Sequence, residues 1–358
     1  MYFYIRKLTS RPNLAGGLQR HCTEMMISVT FKNMKSEFVR ILTNLGFTES
    51  KADQCADIFA LNSLEGVYSH GVNRFPRFVM NVQKGYVKAD SVPSVIKSLG
   101  SLEQWNGNLG PGPLNALFAT ERAMELASKY GIALVAMGNT NHWMRGGTYG
   151  WKAARKGFSF LGWTNTEPNM PAWGAKDFRL GNNPLVLAVP YGNEAIVLDF
   201  AMSQFSYGRL ETYQLEGKQL PYPGGFNKKG NLTTSPGEII ETRRALPIGY
   251  WKGSGLSLLL DILASIVSGG LSTFEISQKE AEYALSQVFI AISLENLSNH
   301  EHIETTVRDI IKNYKESVPA ESGIEIRFPG ENVVKVRENN TKNGIPVNTI
   351  VWETILAL

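Results

Sequence analysis

Apolar residues recur at helical spacing near the start of the chain. In residues 34–45 the side chains of Phe38, Ile41, Leu42 and Leu45 fall on one face, and residues 51–64 repeat the pattern. Pro76 suits the first turn of a third helix, which runs to about residue 83. The first hundred residues therefore predict helices that pack through one apolar face.

The pattern changes near residue 95. An amphipathic segment at 116–130 precedes a short apolar run at 132–137, which is typical of a buried strand. A helix at 146–156 and a strand at 158–163 are predicted next. Two further strands, 185–190 and 195–200, are joined by a four-residue turn and should pair antiparallel. The middle of the chain thus predicts a mixed sheet rather than a purely parallel one.

Residues 213–249 are rich in Gly, Pro, Lys and Asn, and predict a long surface excursion of the kind that is usually functional. After it we expect a mostly apolar helix at 254–268 and a strand at 287–294. A helix at 300–314, a strand at 324–328 and two helices near 331–338 and 347–358 should complete the chain. The pattern as a whole predicts helix-rich ends around a mixed α/β middle.

Composition favours a folded protein of two domains. The chain has 358 residues, 43% hydrophobic and 19% charged. Its net charge of +4 is concentrated in residues 1–25, which carry +3, so the remainder offers no basic surface for nucleic acid. We interpret residues 1–25 as an upstream extension before a start at Met25 or Met26; a targeting peptide and a small ordered arm are the alternatives.

Two cysteines, Cys22 and Cys55, cannot form a disulfide scaffold, and none of their spacings suits structural zinc. We therefore expect a reduced, cytoplasmic protein without a metal. The best candidate for a membrane span, residues 255–271, is interrupted by Asp261, Ser265 and Ser268, which argues against a span.

The glycines do not form a known nucleotide-binding motif. Gly110-Pro-Gly112 is followed by Asn115, and Gly253-Ser-Gly255 by Leu258, where a dinucleotide fingerprint requires glycine. No phosphate loop of the GxxxxGK[ST] type is present. A dinucleotide, if one binds, does not use a Rossmann crevice.

Three polar clusters interrupt the apolar framework. The first places His70 four residues before Arg74 in a glycine-containing turn, the second follows a buried strand and contains His142, and the third is the Trp-, Pro- and Gly-rich segment 163–174. Imidazole titrates near neutrality and guanidinium binds carboxylates with two hydrogen bonds. The clusters thus suit a proton donor beside a carboxylate anchor, although surface turns with satisfied side chains would also explain them.

At these residues the sequence resembles the malate/L-lactate/sulfolactate dehydrogenase family of nicotinamide-dependent oxidoreductases. The resemblance rests on GVYSHGVNRFPRF, NHWMRGGTYGW, WGAKDFRLGNNPL, MSQFSYG, GKQLPYPGGF and LPIGYWKGSG, and it spans about residues 29–358. It implies an α+β fold, with a helical domain from both chain ends, 26–96 and 297–358. A middle α/β domain, 97–296, would bind the cofactor on a mixed, non-Rossmann sheet. It also implies a homodimer.

The resemblance assigns roles residue by residue. His70 matches the proton donor, His142 a second active-site histidine and Arg74 a contact to the substrate carboxylate. Thr166 is a weaker candidate for the cofactor. The cofactor segments correspond to Ala195, Ile196, Val197, Leu198, Asp199, Phe200 and Ala201, to Trp251 and Lys252, and to Gly330, Glu331 and Asn332.

The resemblance makes reduction of an α-keto sugar acid the leading hypothesis, with NADH preferred to NADPH. A second hypothesis keeps the family but takes malate, lactate or ureidoglycolate as the substrate type. A third is a sugar-acid binding protein without activity, which the presence of two histidines beside Arg74 disfavours. No nucleic-acid or membrane partner is expected.

Overall fold

The computed structural model describes residues 26–358, so the prediction of an upstream extension at 1–25 lies outside the described residues. The helices are α1 (Phe31–Asn44), α2 (Glu49–Leu64), α3 (Phe75–Gln83), α4 (Gly112–Tyr130), α5 (Gly147–Arg155), α6 (Tyr207–Leu215), α7 (Pro236–Thr242), α8 (Trp251–Ser268), α9 (Thr273–Ser277), α10 (His300–Lys315), α11 (Glu331–Asn343) and α12 (Thr349–Leu356). The strands are β1 (Met26–Val29), β2 (Ser94–Leu99), β3 (Leu102–Asn106), β4 (Ile132–Thr140), β5 (Phe158–Thr164), β6 (Met170–Pro171), β7 (Phe178–Leu180), β8 (Leu185–Tyr191), β9 (Glu194–Phe200), β10 (Gly225–Phe226), β11 (Leu232–Thr233), β12 (Leu285–Ser293) and β13 (Ile345–Asn348).

A seven-stranded sheet forms the centre, in the order β2-β3-β4-β12-β5-β8-β9. Only β3 and β4 run parallel, and the other neighbours are antiparallel, including the predicted pair β8–β9. Helices α4 and α5 cover one face through a core that includes Phe160 and Phe289. The α+β class and the mixed, non-Rossmann sheet are therefore confirmed.

The helical part joins the two ends of the chain. Strand β1 pairs antiparallel with β13, with Ile27 opposite Val347. Thr30 and Thr48 cap α1 and α2 by accepting a hydrogen bond from the backbone N–H three residues on. Behind the caps, Phe38 stacks on Phe75 at 4.0 Å between ring centroids, within a core that also holds residues of α12.

The structure differs locally in one missed hairpin and one predicted strand that does not form. The hairpin β2–β3 was missed because every residue of β2 is exposed and shows no alternation of burial. Residues 213–249 lie largely at the surface, as predicted, and they also complete α6, form α7 and bury Leu220 and Ile239 in a small cluster. Residues 324–328 form no strand, because no other segment of the described chain pairs with them.

Helix α8 is the one helix among residues 26–358 that is long and apolar enough to cross a membrane, with a mean hydropathy of 1.2 over 18 residues. Its polar residues and its packing on the sheet both distinguish it from a membrane span. Leu260 and Ala264 are buried against the sheet, and Asp261 accepts hydrogen bonds from Asn165 and from the backbone N–H of Thr273. Its opposite face is apolar and exposed.

Candidate active site

A short 3-10 turn after α2, Tyr68–His70, positions His70. An added Cβ at Gly71 would lie 2.2 Å from Ser63 Oγ and 2.8 Å from the Ser63 backbone nitrogen, so only glycine lets the turn pack this closely on α2. The buried Asn62 side chain donates to the His70 carbonyl at 2.9 Å. The Ser69 hydroxyl lies 3.1 Å from His70 Nδ1.

His142 follows the end of β4, in backbone that turns sharply. Asn139 and Met144 both have positive φ, at 54° and 67°. The Asn141 side-chain amide donates to the carbonyls of Leu109 and Gly110, which fixes the segment on the loop before α4. The Met144 N–H donates to His142 Nδ1 at 3.0 Å, so Nδ1 is an acceptor and the neutral ring carries its proton on Nε2.

These two histidines lie side by side in the wall of one cavity of about 600 Å³. Their ring centroids are 5.7 Å apart, and the ring planes are 17° from parallel. The N-terminus of α6 borders the same cavity. An added Cβ at Gly208 there would lie 2.8 Å from Ser69 Cβ, which explains the small residue at this position. The structure thus brings the first two polar clusters together, although 72 positions separate the histidines in sequence.

The cavity is lined by equal numbers of cationic and anionic side chains: Arg74, Arg77, Arg145 and Arg243, and Glu167, Asp199, Glu211 and Glu282. The guanidinium of Arg74 lies 3.6 Å from Glu282, and that of Arg243 lies 3.5 Å from Glu167. Arg77 forms no hydrogen bond or ion pair with any other described residue. Because it stands one helical turn after Arg74, the two guanidiniums can share one anion.

Both histidines are held neutral in this environment. The surrounding protein, and then the charges of Arg74 and Arg145, lower the pKa of His70 to about 4. Burial and the neighbouring charges of Arg74, His70 and Arg77 hold the pKa of His142 well below its usual range. An anion bound to Arg74 would offset the positive charge of that guanidinium and so favour the protonated form of either histidine.

An ion-pair network, buried at Glu65 and Arg145 and partly exposed at Glu194 and Arg155, fixes the helical part against the sheet next to the cavity. Glu65, at the end of α2, pairs with Arg145 and with Arg337 of α11, the latter at 3.0 Å. Arg337 also pairs with Glu194 at the start of β9, which in turn pairs with Arg155 of α5. The network therefore connects five segments and holds the turn that carries His70 in place.

Some of the predicted cofactor residues line the cavity and others do not. Asp199, Phe200 and Ala201 line the cavity, and Gly147 donates its backbone N–H to Asp199 Oδ2 at 2.7 Å. The weaker candidate Thr166 lines it too. Residues 330–332 follow a segment that contacts β9, since the Val197 N–H donates to the Pro329 carbonyl at 3.2 Å.

Trp251 and Lys252 begin α8 and are exposed at the surface. They do not line the cavity within one chain. The roles of all these residues stay predictions.

Sequence reasoning missed several cavity residues. Glu167 and Asn169 belong to the polar segment 163–174 but were not singled out, and Arg77 stands in the same helix as Arg74. Arg243 and Glu282 gave no local signal, because only the tertiary fold brings α7 and the segment before β12 to this cavity. No group of three or more potential metal ligands occurs in residues 26–358.

Comparison with known proteins gives a family. The chain matches the family described as malate/L-lactate dehydrogenase over residues 29–356. Among curated relatives, 2,3-diketo-L-gulonate reductase of Citrobacter koseri is 45% identical over 333 residues, which cover 93% of this chain and 100% of that protein. The protein of the same description from Salmonella typhimurium is 44% identical over the same shares.

Solved structures agree with this result. Malate dehydrogenase from Pyrococcus horikoshii superposes with a TM-score of 0.83 at 30% identity, over 92% of this chain and 93% of the other. Sulfolactate dehydrogenase from Methanocaldococcus jannaschii gives a TM-score of 0.82 at 27% identity, over 93% and 98%. The sequence similarity and the fold thus indicate the same family of dehydrogenases.

Proposed function

Because the chain belongs to the malate/L-lactate dehydrogenase family and is an oxidoreductase acting on CH–OH groups, we propose that it reduces 2,3-diketo-L-gulonate to 3-keto-L-gulonate with NADH. The observation that carries the proposal is the cavity in which two neutral histidines face two neighbouring arginines. The substrate name comes from relatives about 45% identical over their full length. The alternative substrates, malate and lactate, belong to the same reaction type.

The arginines bind the acid end of the substrate. Guanidinium groups match carboxylates with paired hydrogen bonds, and Arg77 forms no hydrogen bond or ion pair with a described residue, only a longer-range attraction to Glu167. Arg74 faces Glu282 only at the long distance of 3.6 Å, so an incoming carboxylate can replace that contact. Fixing the carboxylate orients the neighbouring keto group toward the histidines and lowers the entropic cost of reaction.

His70 delivers the proton to the oxygen of the reacting carbonyl. A substrate carboxylate bound at Arg74 offsets the positive charge there, which raises the pKa of His70 and brings it closer to the operating pH. His142 has its Nε2–H available, since Nδ1 accepts from Met144, and it stabilises negative charge on the same oxygen as a neutral hydrogen-bond donor. Asn62 and Ser69 hold the His70 turn in position.

The cavity fits a nicotinamide cofactor. Its volume of about 600 Å³ lies within the usual range of ligand sites. Asp199, Phe200 and Ala201 would hold the cofactor beside the histidines, and the N-terminus of α6 offers backbone N–H groups to a phosphate. The cofactor, when bound, supplies the hydride for carbonyl reduction. The protein residues bind, orient and protonate the substrate.

The exposed face of α8 is proposed as a homodimer interface. Leu259, Ile262, Leu263 and Ile266 are between 41% and 65% exposed and lie on the side of the helix that does not contact the sheet. Exposed apolar side chains grouped on one helix face mark an interaction site. Light scattering should give the mass of a dimer, and Leu259→Glu should give a monomer. A monomeric parent protein, or one that binds lipid vesicles through this face, would contradict the assignment.

A substrate screen tests the proposed activity. The full-length protein is mixed with NADH or NADPH and a series of 2-keto acids, and turnover is followed at the absorbance of reduced nicotinamide. We expect the highest kcat/KM with 2,3-diketo-L-gulonate and NADH. Preference for oxaloacetate or pyruvate would identify a malate or lactate enzyme, and no turnover with any acid would refute the proposal.

A further inference from the structure

One wall of the cavity near Arg74 is rich in hydrogen-bond acceptors: the acceptor wall, formed by the carboxylates of Glu167 and Glu282 and by the side-chain oxygen of Asn169, whose amide nitrogen donates to Asn182 Oδ1 at 3.0 Å. All three line the cavity. The Glu282 side chain is 8% exposed. Asn169 Oδ1 is buried and accepts no hydrogen bond in the described part of the chain. Glu167 is 37% exposed, whereas Glu282 and Asn169 Oδ1 need donors, because a buried acceptor without one is costly.

The contacts within the protein leave these acceptors only partly satisfied. Glu282 accepts from the Glu167 backbone N–H at 3.3 Å, and its other oxygen is 3.6 Å from Arg74. Glu167 lies 3.5 Å from Arg243, whose guanidinium donates to the Pro168 carbonyl at 3.1 Å. Each carboxylate has about four lone-pair positions, so more remain than these long contacts occupy.

A substrate can supply the missing donors if it carries hydroxyl groups. A hydroxyl donates to a carboxylate and suffers no charge repulsion, whereas a second carboxylate would face two negative charges. Arg243 cannot fully compensate for them, because it is already held by Glu167 and the Pro168 carbonyl. The chemistry of this wall therefore favours a polyhydroxylated chain and disfavours a dicarboxylic acid.

We propose that the acceptor wall determines substrate specificity by binding the hydroxyl groups of the keto acid and excluding a second carboxylate. This inference rests on the proposed function, in which Arg74 binds the first carboxylate. The substrate class is a six-carbon 2-keto acid with hydroxyl groups along its tail. Glu282 and Glu167 are the specificity residues, and Asn169 adds a neutral acceptor.

The test compares three six-carbon keto acids: 2,3-diketo-L-gulonate, 2-ketohexanoate without hydroxyls and 2-ketoadipate with a second carboxylate. Steady-state kcat/KM is measured for the parent protein, for Glu282→Gln and for Glu167→Gln. Loss of a charged acceptor should lower kcat/KM for the hydroxylated acid about 10-fold. The value for 2-ketohexanoate should stay within about 2-fold, and that for 2-ketoadipate should rise, so that the selectivity ratio changes by more than about 10-fold.

The control variant is Glu125→Gln, which changes an exposed carboxylate of α4 that pairs with Arg122 alone among residues 26–358 and lies outside the cavity. It should leave all three values unchanged. Equal losses for all three acids in Glu282→Gln and Glu167→Gln would overturn the inference, because they would show that the carboxylates support the fold or Arg74. A parent protein that reduces none of the acids would instead refute the proposed function, so the two failures are distinct.

Discussion

The buried Glu65 carboxylate should contribute more to stability than any surface ion pair of this chain. Its side chain is 2% exposed and faces the guanidiniums of Arg145, 6% exposed, and Arg337, 18% exposed. Glu65→Gln keeps the shape of the side chain but removes the charge that both cations share. The variant leaves Arg145 without an ion-pair partner in the described structure, while Arg337 retains Glu194.

The expected loss of folding free energy depends on which partners the two arginines keep. Removing one member of a buried ion pair costs ~3–5 kcal/mol, because the other charge stays buried and unpaired. Arg337 keeps a partner and Arg145 has Asp199 nearby in the cavity wall, so the low end, about 3 kcal/mol, applies here. For a chain of this length the entropy of unfolding is roughly 0.7 kcal/mol/K, which converts the loss to a fall in Tm of about 4 °C.

Thermal unfolding by calorimetry or circular dichroism measures this loss without cofactor or substrate. The matched control is Glu121→Gln, which breaks the surface pair with Lys152 at 2.8 Å. Surface pairs contribute ~0–1 kcal/mol, so the control should shift Tm by no more than about 1 °C. If Glu65→Gln unfolds at the same temperature as the control, the network does not stabilise the contact between the helical part and the sheet.

Three further predictions concern the cavity. Arg77→Met should raise KM for the keto acid about 10-fold with little change in kcat, since a carboxylate contact is made equally in the ground and transition states; an unchanged KM would contradict this. The pKa of His70 is about 4 when folded and near 6.5 when unfolded, so the unfolded chain takes up this proton first as the pH falls. The free energy of unfolding should therefore fall between pH 6.5 and pH 4, by at most about 3 kcal/mol, because His70 is neutral in the folded protein. Urea unfolding at several pH values should show a smaller fall for His70→Asn than for the parent protein. If the free energy of unfolding depends on pH in the same way for both proteins, the lowered pKa of His70 is refuted. At saturating cofactor, His142→Ala should reduce kcat less than His70→Ala does, because it removes a neutral hydrogen-bond donor, whereas His70→Ala removes the group that transfers the proton. A larger loss of kcat in His142→Ala would exchange the two roles.

The sequence predicted those parts of the fold in which local pattern and tertiary packing agree. The helices around Phe38 and Phe75 and the antiparallel pair β8–β9 show clear periodicity, and the SHG and NHW motifs identified the two histidines that share a cavity. Strand β13 was missed because it is short, contains Pro346 and pairs with β1, more than 300 positions away. Glu282 was missed for the same reason: its role depends on where the chain returns to the cavity, and no local pattern encodes that.

The most direct test of the account is the turnover of His70→Ala with NADH and 2,3-diketo-L-gulonate, measured beside NADH binding by fluorescence titration. We predict a loss of ~10²–10⁴-fold in kcat, the usual contribution of one acid–base group. The dissociation constant for NADH should stay nearly unchanged, because His70 lies outside the predicted cofactor segments. A variant that keeps a near-normal kcat and only raises KM would contradict the account, since His70 would then bind substrate without delivering the proton.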